Sequence, residues 1–200
     1  MNVLVIPEDF RKDQYMLKPI LTAMLRTLER PVRLEVCQDP LLGGIGEALK
    51  WERIQEIGEQ YAWKVNLFLL CVDRDGQAGR RAALDAIEEK ARRILPAGSR
   101  LLAENAWQEI EVWVLAGHDL PDGWNWRAIR DEPNPKERYY RPFANLRGAL
   151  ESPGEGRRQL AEEAARRYAR IHQLCPEDIG NLEQRIQAGG IKPMEWEFKD

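Results

Sequence analysis

Two aspartates one residue apart, Asp73 and Asp75, stand at the end of an apolar run in the stretch "VNLFLLCVDRDGQAGRR", Val65 to Arg81. Side chains of an extended segment alternate, so the two carboxylates are expected on one side and Arg74 on the other. Carboxylates held together repel each other, and a divalent cation removes the conflict. A ligand set made only of oxygens favours Mg2+ or Mn2+ over zinc. The same string also has a purely structural reading, with Asp75 as a helix N-cap and Gly76 serving the turn. A calcium loop beginning at Asp73 is excluded, because its twelfth position is Leu84 and not Glu.

Glu8 sharpens the question. It follows the short apolar segment "NVLVI", Asn2 to Ile6, as Asp73 follows Val65–Val72. In open α/β sheets ligands bind at the carboxyl edge of the strands, and two neighbouring parallel strands would bring Glu8 to Asp73 and Asp75. Glu104, Glu109 and Glu111 add carboxylates further on, in "AENAWQEIEVWVLAG". On a helix Glu109 and Glu111 lie about 200° apart, so one of them at most is expected to reach a shared ion.

Arg80 and Arg81 lie one turn into the segment after the aspartates. They could hold a phosphate beside a metal, or pair with Asp85 and Glu88 on a solvated helix face. Lys136, Arg138, Arg141 and Arg147, interleaved with Tyr139, Tyr140 and Phe143, form the densest basic and aromatic stretch. That mixture suits a nucleic-acid backbone with stacked bases, and equally a loop packed by its own rings. His118 and His172 have no partner at metal-ligand spacing, and Ser99 and Ser152 lie in no G-x-S-x-G elbow. "LLGGIG", Leu41 to Gly46, lacks the G-K-[ST] ending of a P-loop and reads as a connector able to line a site.

The elements that must position these residues follow from periodicity. Strands are expected at Asn2–Ile6, Val32–Val36, Val65–Val72 and Arg100–Glu104, the third apolar enough to be covered on both faces. Helices are expected at Gln14–Glu29, Glu47–Ala62, Ala78–Leu95 and Ala106–Gly117. Strands alternating with helices predict an α/β fold: an open, mainly parallel sheet flanked by helices. From His118 to Gly156 the chain is rich in Pro, Gly, Trp and Arg without periodicity, and reads as an irregular, lid-like insertion. Two further helices, about Glu155–Gln173 and Pro176–Ala188, form a helical C-terminal tail. The expected organisation is an α/β domain over 1–117, with 118–200 packed on the same domain. Trp51, Trp63, Trp107 and Trp113 are expected in the core, Trp124 and Trp126 in the insertion.

The chain has 200 residues, long enough to bury a core without staples. Its net charge of −3 gives no overall basic field, so any nucleic-acid site must be a local patch. Cys37, Cys71 and Cys175 are too far apart in sequence for metal-ligand spacing and read as small buried hydrophobes of a reducing compartment. Met1–Ile6 lacks a basic leader, and no apolar run approaches the ~20 residues that span a bilayer, so a cytoplasmic protein without a membrane partner is expected.

A glutamate after strand one and D-x-D after strand three resemble the TOPRIM domain of topoisomerases, primases and OLD-type nucleases, over about the first 117 residues. A closer resemblance is to the bacterial TOPRIM-like family DUF4276. "AENAWQEIEVWVLAG" is similar to its "REIEAWLLAD" segment, and "EPNPKERYYRP" (Glu132–Pro142) and "LAEEAARRYARIHQLCPED" (Leu160–Asp178) are similar to its "P-K" segment and helical tail. The chain departs from the family at "PEDFRKDQ", where "EG" usually follows the first strand, and at Gly117–His118, where the family often has Asp. The resemblance implies a Mg2+-dependent phosphodiesterase, a nuclease on DNA or RNA. Asp73, Asp75 and Glu109 or Glu111 would serve the site, with Glu111 and Glu8 among the metal ligands or Glu8 as general acid/base. Arg80, Arg81, Lys136, Arg138 and Arg141 would contact nucleic acid. It also implies a partner ATPase in trans and a role in anti-phage defence. The alternative is a non-catalytic binding or regulatory subunit.

Overall fold

The computed structural model describes residues 1–28, 31–152 and 154–189. Strands β1 (Asn2–Pro7), β2 (Arg33–Val36), β3 (Leu67–Asp73) and β4 (Arg100–Ala106) form one sheet in the order β2-β1-β3-β4, every pair parallel. The expected α/β fold is thus observed. Val5 lies between Val36 and Leu69, and Leu69 between Val5 and Leu102. Period-two alternation sends Val3, Val5, Leu67, Leu69 and Leu102 into one core and Leu4, Ile6, Phe68, Leu70 and Ala103 into the other. The continuous apolar run of β3 is the consequence of lying between two cores.

Helix α1 (Phe10–Arg26) covers the first face with Met16, Leu17, Ile20, Leu21, Met24 and Leu25, an i, i+3/i+4 stripe. Asp9 caps it by accepting from the Arg11 N–H at 2.9 Å. The expected end of this helix at Glu29 lies outside the described residues. Helices α2 (Ile45–Ala48), α3 (Trp51–Tyr61) and α4 (Arg80–Ile94) cover the second face.

The helix expected over Ala106–Gly117 is shorter than its pattern. β4 extends to Ala106, and α5 runs only from Glu111 to Ala116. Gln108 breaks the helix by adopting φ +74, and Asp73 Oδ1 accepts from the Ile110 N–H at 2.8 Å, setting where the helix starts.

The stretch after His118 is not an irregular lid. It folds as α6 (Trp126–Asp131), a π-helical turn (Lys136–Tyr140) and α7 (Arg141–Leu146). Ile129, Tyr140, Phe143 and Ala144 anchor these segments in the same core as α1. The first tail helix is interrupted, giving α8 (Arg157–Ala165) and α9 (Tyr168–Leu174). A second π-helical turn (Pro176–Gly180) leads into α10 (Asn181–Ala188). The helices after residue 117 therefore share the core of the first 117 residues. A Cβ at Gly117 would lie 2.5 Å from the Cα of Ala164, so α5 and α8 meet too closely for a side chain there. Trp113 is fully buried, but Trp63 is 65% exposed, its indole N–H donating to the Gln60 carbonyl at 3.1 Å, so it is no core residue.

β4 is an edge strand, and its open side is occupied by side chains. The Ala103 N–H donates to Glu88 at 2.8 Å, and the Ala103 carbonyl accepts from Arg81 at 2.8 Å and Arg185 at 3.0 Å. Glu104 is bound into the same network by Arg81, Arg185 and Asn181. These contacts protect an edge that would otherwise offer free backbone pairing. All three cysteines are buried and free, and no helix among the described residues is long and apolar enough to cross a membrane.

Candidate metal centre

β1 and β3 are neighbours, yet the chain leaves them towards opposite faces, into α1 and α4. That divergence opens a crevice at the carboxyl edge. Glu8 follows β1 and Asp73 ends β3, so both stand at the crevice. Glu8 Oε2 accepts from the Asp73 N–H at 3.1 Å, the proximity expected from strand pairing.

Asp73, Asp75 and Glu109 each offer a carboxylate oxygen to one group whose members all lie within 4.8 Å of one another. Alternation along a strand is not what aligns the aspartates. β3 stops at Asp73, and Asp75 sits in a turn at φ +52. Gln108 holds this turn: its carbonyl accepts from the Arg74 and Asp75 N–H groups at 2.7 and 3.1 Å, and its side-chain oxygen from the Gly76 N–H at 2.9 Å. Arg74 stacks over Trp107, 4.1 Å from the ring centroid. The N-cap reading of Asp75 is not realised, since α4 is capped at Gly79 without a side-chain bond. The Asp75 carboxylate instead accepts from Arg80 at 3.2 Å. Glu109, in the turn before α5, accepts from the Lys136 N–H at 2.8 Å.

Burial and mutual repulsion raise the proton affinity of the carboxylates at this edge. Among the described residues, Glu8, Asp13, Asp73 and Glu109 form no salt bridge. Burial pushes Glu109 up to about 7, with repulsion from Glu111 adding. Burial, then repulsion from Glu111, Glu8 and Asp13, pushes Asp73 well above the usual carboxylate range. Glu8 is raised mainly by burial and further by Asp75.

Asp13 was not legible as a site residue. It is buried on α1, accepts from the Asp9 N–H at 3.0 Å, and is pushed up to about 7 by burial and then by Glu8 and Glu111. A signal did exist: Asp13 falls on the Leu17–Ile20–Met24 stripe, where an apolar side chain is the norm.

The other candidates separate. Glu111 is buried and paired to Arg157 at 3.1 Å, outside the group of three, although near enough to repel Asp73. Glu8 is also outside the group, held by the Asp73 backbone. Arg80 stands at the site, whereas Arg81 is turned into the β4 edge network. Arg138 pairs with Glu132 at 3.2 Å and Arg141 with Glu155 at 3.7 Å, and Lys136 lies 3.9 Å from Glu137. Tyr140 and Phe143 are core residues, so they offer no exposed rings for base stacking. The glycine connector does flank the site: Gly44 N–H donates to the Glu8 carbonyl at 2.9 Å, and a cleft of about 410 Å3 runs between Glu8–Arg11 and Leu41–Gly44.

Three converging carboxylates with oxygen-only chemistry suit a hard divalent cation such as Mg2+. Comparison with protein-family models, curated proteins and solved structures finds no match.

Proposed function

We propose that the chain is a Mg2+- or Mn2+-dependent phosphodiesterase of TOPRIM-like type, a nuclease acting on DNA or RNA. One observation carries this reading: the oxygens of Asp73, Asp75 and Glu109 lie within 4.8 Å of one another at the switch point of a parallel sheet. The chemistry a cation there supplies is polarisation of a phosphoryl oxygen and activation of water. Asp73, Asp75 and Glu109 would hold the ion. Glu8, its proton affinity raised and its carboxylate fixed by the Asp73 N–H, serves as general acid/base. Arg80, beside Asp75, steadies a phosphate. A partner ATPase in trans and a role in anti-phage defence rest on the family resemblance alone.

A second reading, a non-catalytic binding subunit, is favoured by Arg80, whose guanidinium already offsets the charge of Asp75. Melting of wild type and Asp73→Asn with Mg2+ and Mn2+ separates the two. The enzyme reading expects the wild type alone to melt higher with metal, and a panel of nucleic acids to be cut by wild type only. No metal shift in either protein would leave the binding subunit as the better account.

A further inference from the structure

The positive surface of this protein lies away from the stretch where its sequence concentrates cations and rings. A groove of about 580 Å3 runs between α1 and α8, and Lys18, Arg26, Arg158 and Arg166 line it. Among the described residues, the only carboxylate on its walls is Glu162, already paired to Arg158 at 2.9 Å. Lys18, Arg26 and Arg166 make no salt bridge among the described residues and are exposed. A chain of net charge −3 that gathers four cations on one groove has a local field opposite to its average.

The groove is also directed. Arg11, Lys18 and Arg26 recur along one side of α1 at near-helical spacing, over about 22 Å at 1.5 Å per residue. Arg11 lines the cleft beside Glu8, so the line of cations begins next to the candidate metal centre. Tyr15, with Gln14 beside it, adds a partly exposed ring and an amide to the same groove.

We propose that the α1–α8 groove binds the backbone of a single-stranded nucleic acid and leads it to the carboxylates at the end of β1 and β3. The cations contact phosphates, and Tyr15 offers a face to a base. Packed helices lie about 8–10 Å apart, so the groove between them accepts one strand more readily than a duplex. This inference rests on the phosphodiesterase reading for the strand's destination, but not for its binding.

Fluorescence anisotropy tests it with labelled oligo(dT), oligo(U) and a blunt duplex, in EDTA so that cleavage plays no part. Wild type should bind a single strand with an affinity that falls with salt. Lys18→Glu/Arg26→Glu/Arg166→Glu should bind at least tenfold more weakly, with the salt slope reduced by about 2, near 0.7 per lost phosphate contact. Arg92→Glu/Arg93→Glu, on exposed α4, should bind as wild type. Asp73→Asn should keep binding while losing metal-dependent cleavage. If it binds but wild type cuts nothing, the enzyme reading fails and the groove stands. Wild-type affinity in the triple variant, absence of binding by wild type, tighter binding of the duplex, or equal competition by poly-glutamate would each overturn the proposal, the last assigning the groove to an acidic protein segment.

Discussion

Glu8 Oε2 accepts a hydrogen bond from the backbone N–H of Asp73 at 3.1 Å, joining the ends of β1 and β3 across the crevice. The contact gives Glu8 two separable roles. As an acceptor it closes the top of the strand pair; as a carboxyl group it can move a proton. Glu8→Gln keeps the first and loses the second. Its melting temperature should stay within a few degrees of wild type, and on the proposed phosphodiesterase reading metal-dependent cleavage should fall about 10²–10⁴-fold. Glu8→Ala should lose both, with stability lower by about 1–2 kcal/mol for the unpaired N–H. Cleavage rates and melts on the two variants check this.

Asp13 predicts a pH dependence of stability. Its folded pKa of about 7 lies above the ordinary 3.8, so ionisation costs the folded state more than the unfolded chain. The favourable regime is full below about pH 4 and is lost as pH rises to about 7. Asp13→Asn, which retains an acceptor for the Asp9 N–H, should therefore stabilise the protein by roughly 1–3 kcal/mol at pH 8 and by little at pH 4. Urea melts at both pH values check it. Glu109, Asp73 and Glu8 have the same sign and His118, lowered by burial, the opposite one, so with the carboxylates in the majority the protein should be less stable at pH 8 than at pH 5.

Arg157 and Glu111 are both buried and paired at 3.1 Å. Arg157→Met should cost about 3–5 kcal/mol, because the Glu111 charge is left without its partner. Adding Glu111→Leu should recover much of that loss. A double-mutant cycle in denaturant measures it, and simple additivity would contradict the pairing.

Gly117 sets the approach of α5 to α8. A Cβ there would meet the Ala164 Cβ at 2.4 Å. Gly117→Ala should destabilise by about 1–3 kcal/mol through overpacking. Gly79→Ala, with open space around its Cβ, should leave the melting temperature close to wild type.

Much of the fold was legible locally. Short apolar runs marked β1, β3 and β4, alternation marked β2, and apolar spacing marked α1, α3 and α4. The site was legible in part: Glu8, Asp73 and Asp75 could be named because residues at strand ends share one edge of a parallel sheet. The choice between Glu109 and Glu111 could not be made from helical angles, because Gln108 holds the chain in a turn where Glu109 precedes the helix. The segment from His118 read as irregular because its short helices are interrupted and supported by long-range packing, which leaves no clear period in the sequence.

The sequence by itself determined the alternating α/β order and which residue types gather at the strand ends, since both depend on local periodicity. Tertiary structure alone decided which charges remain unmatched. Glu111 meets Arg157, Arg81 meets the edge of β4, and Arg138 meets Glu132, while among the described residues Asp13, Glu8 and Asp73 repel one another and form no salt bridge. Charge compensation acts over a few ångströms between residues far apart in the chain, so only the folded arrangement could assign it.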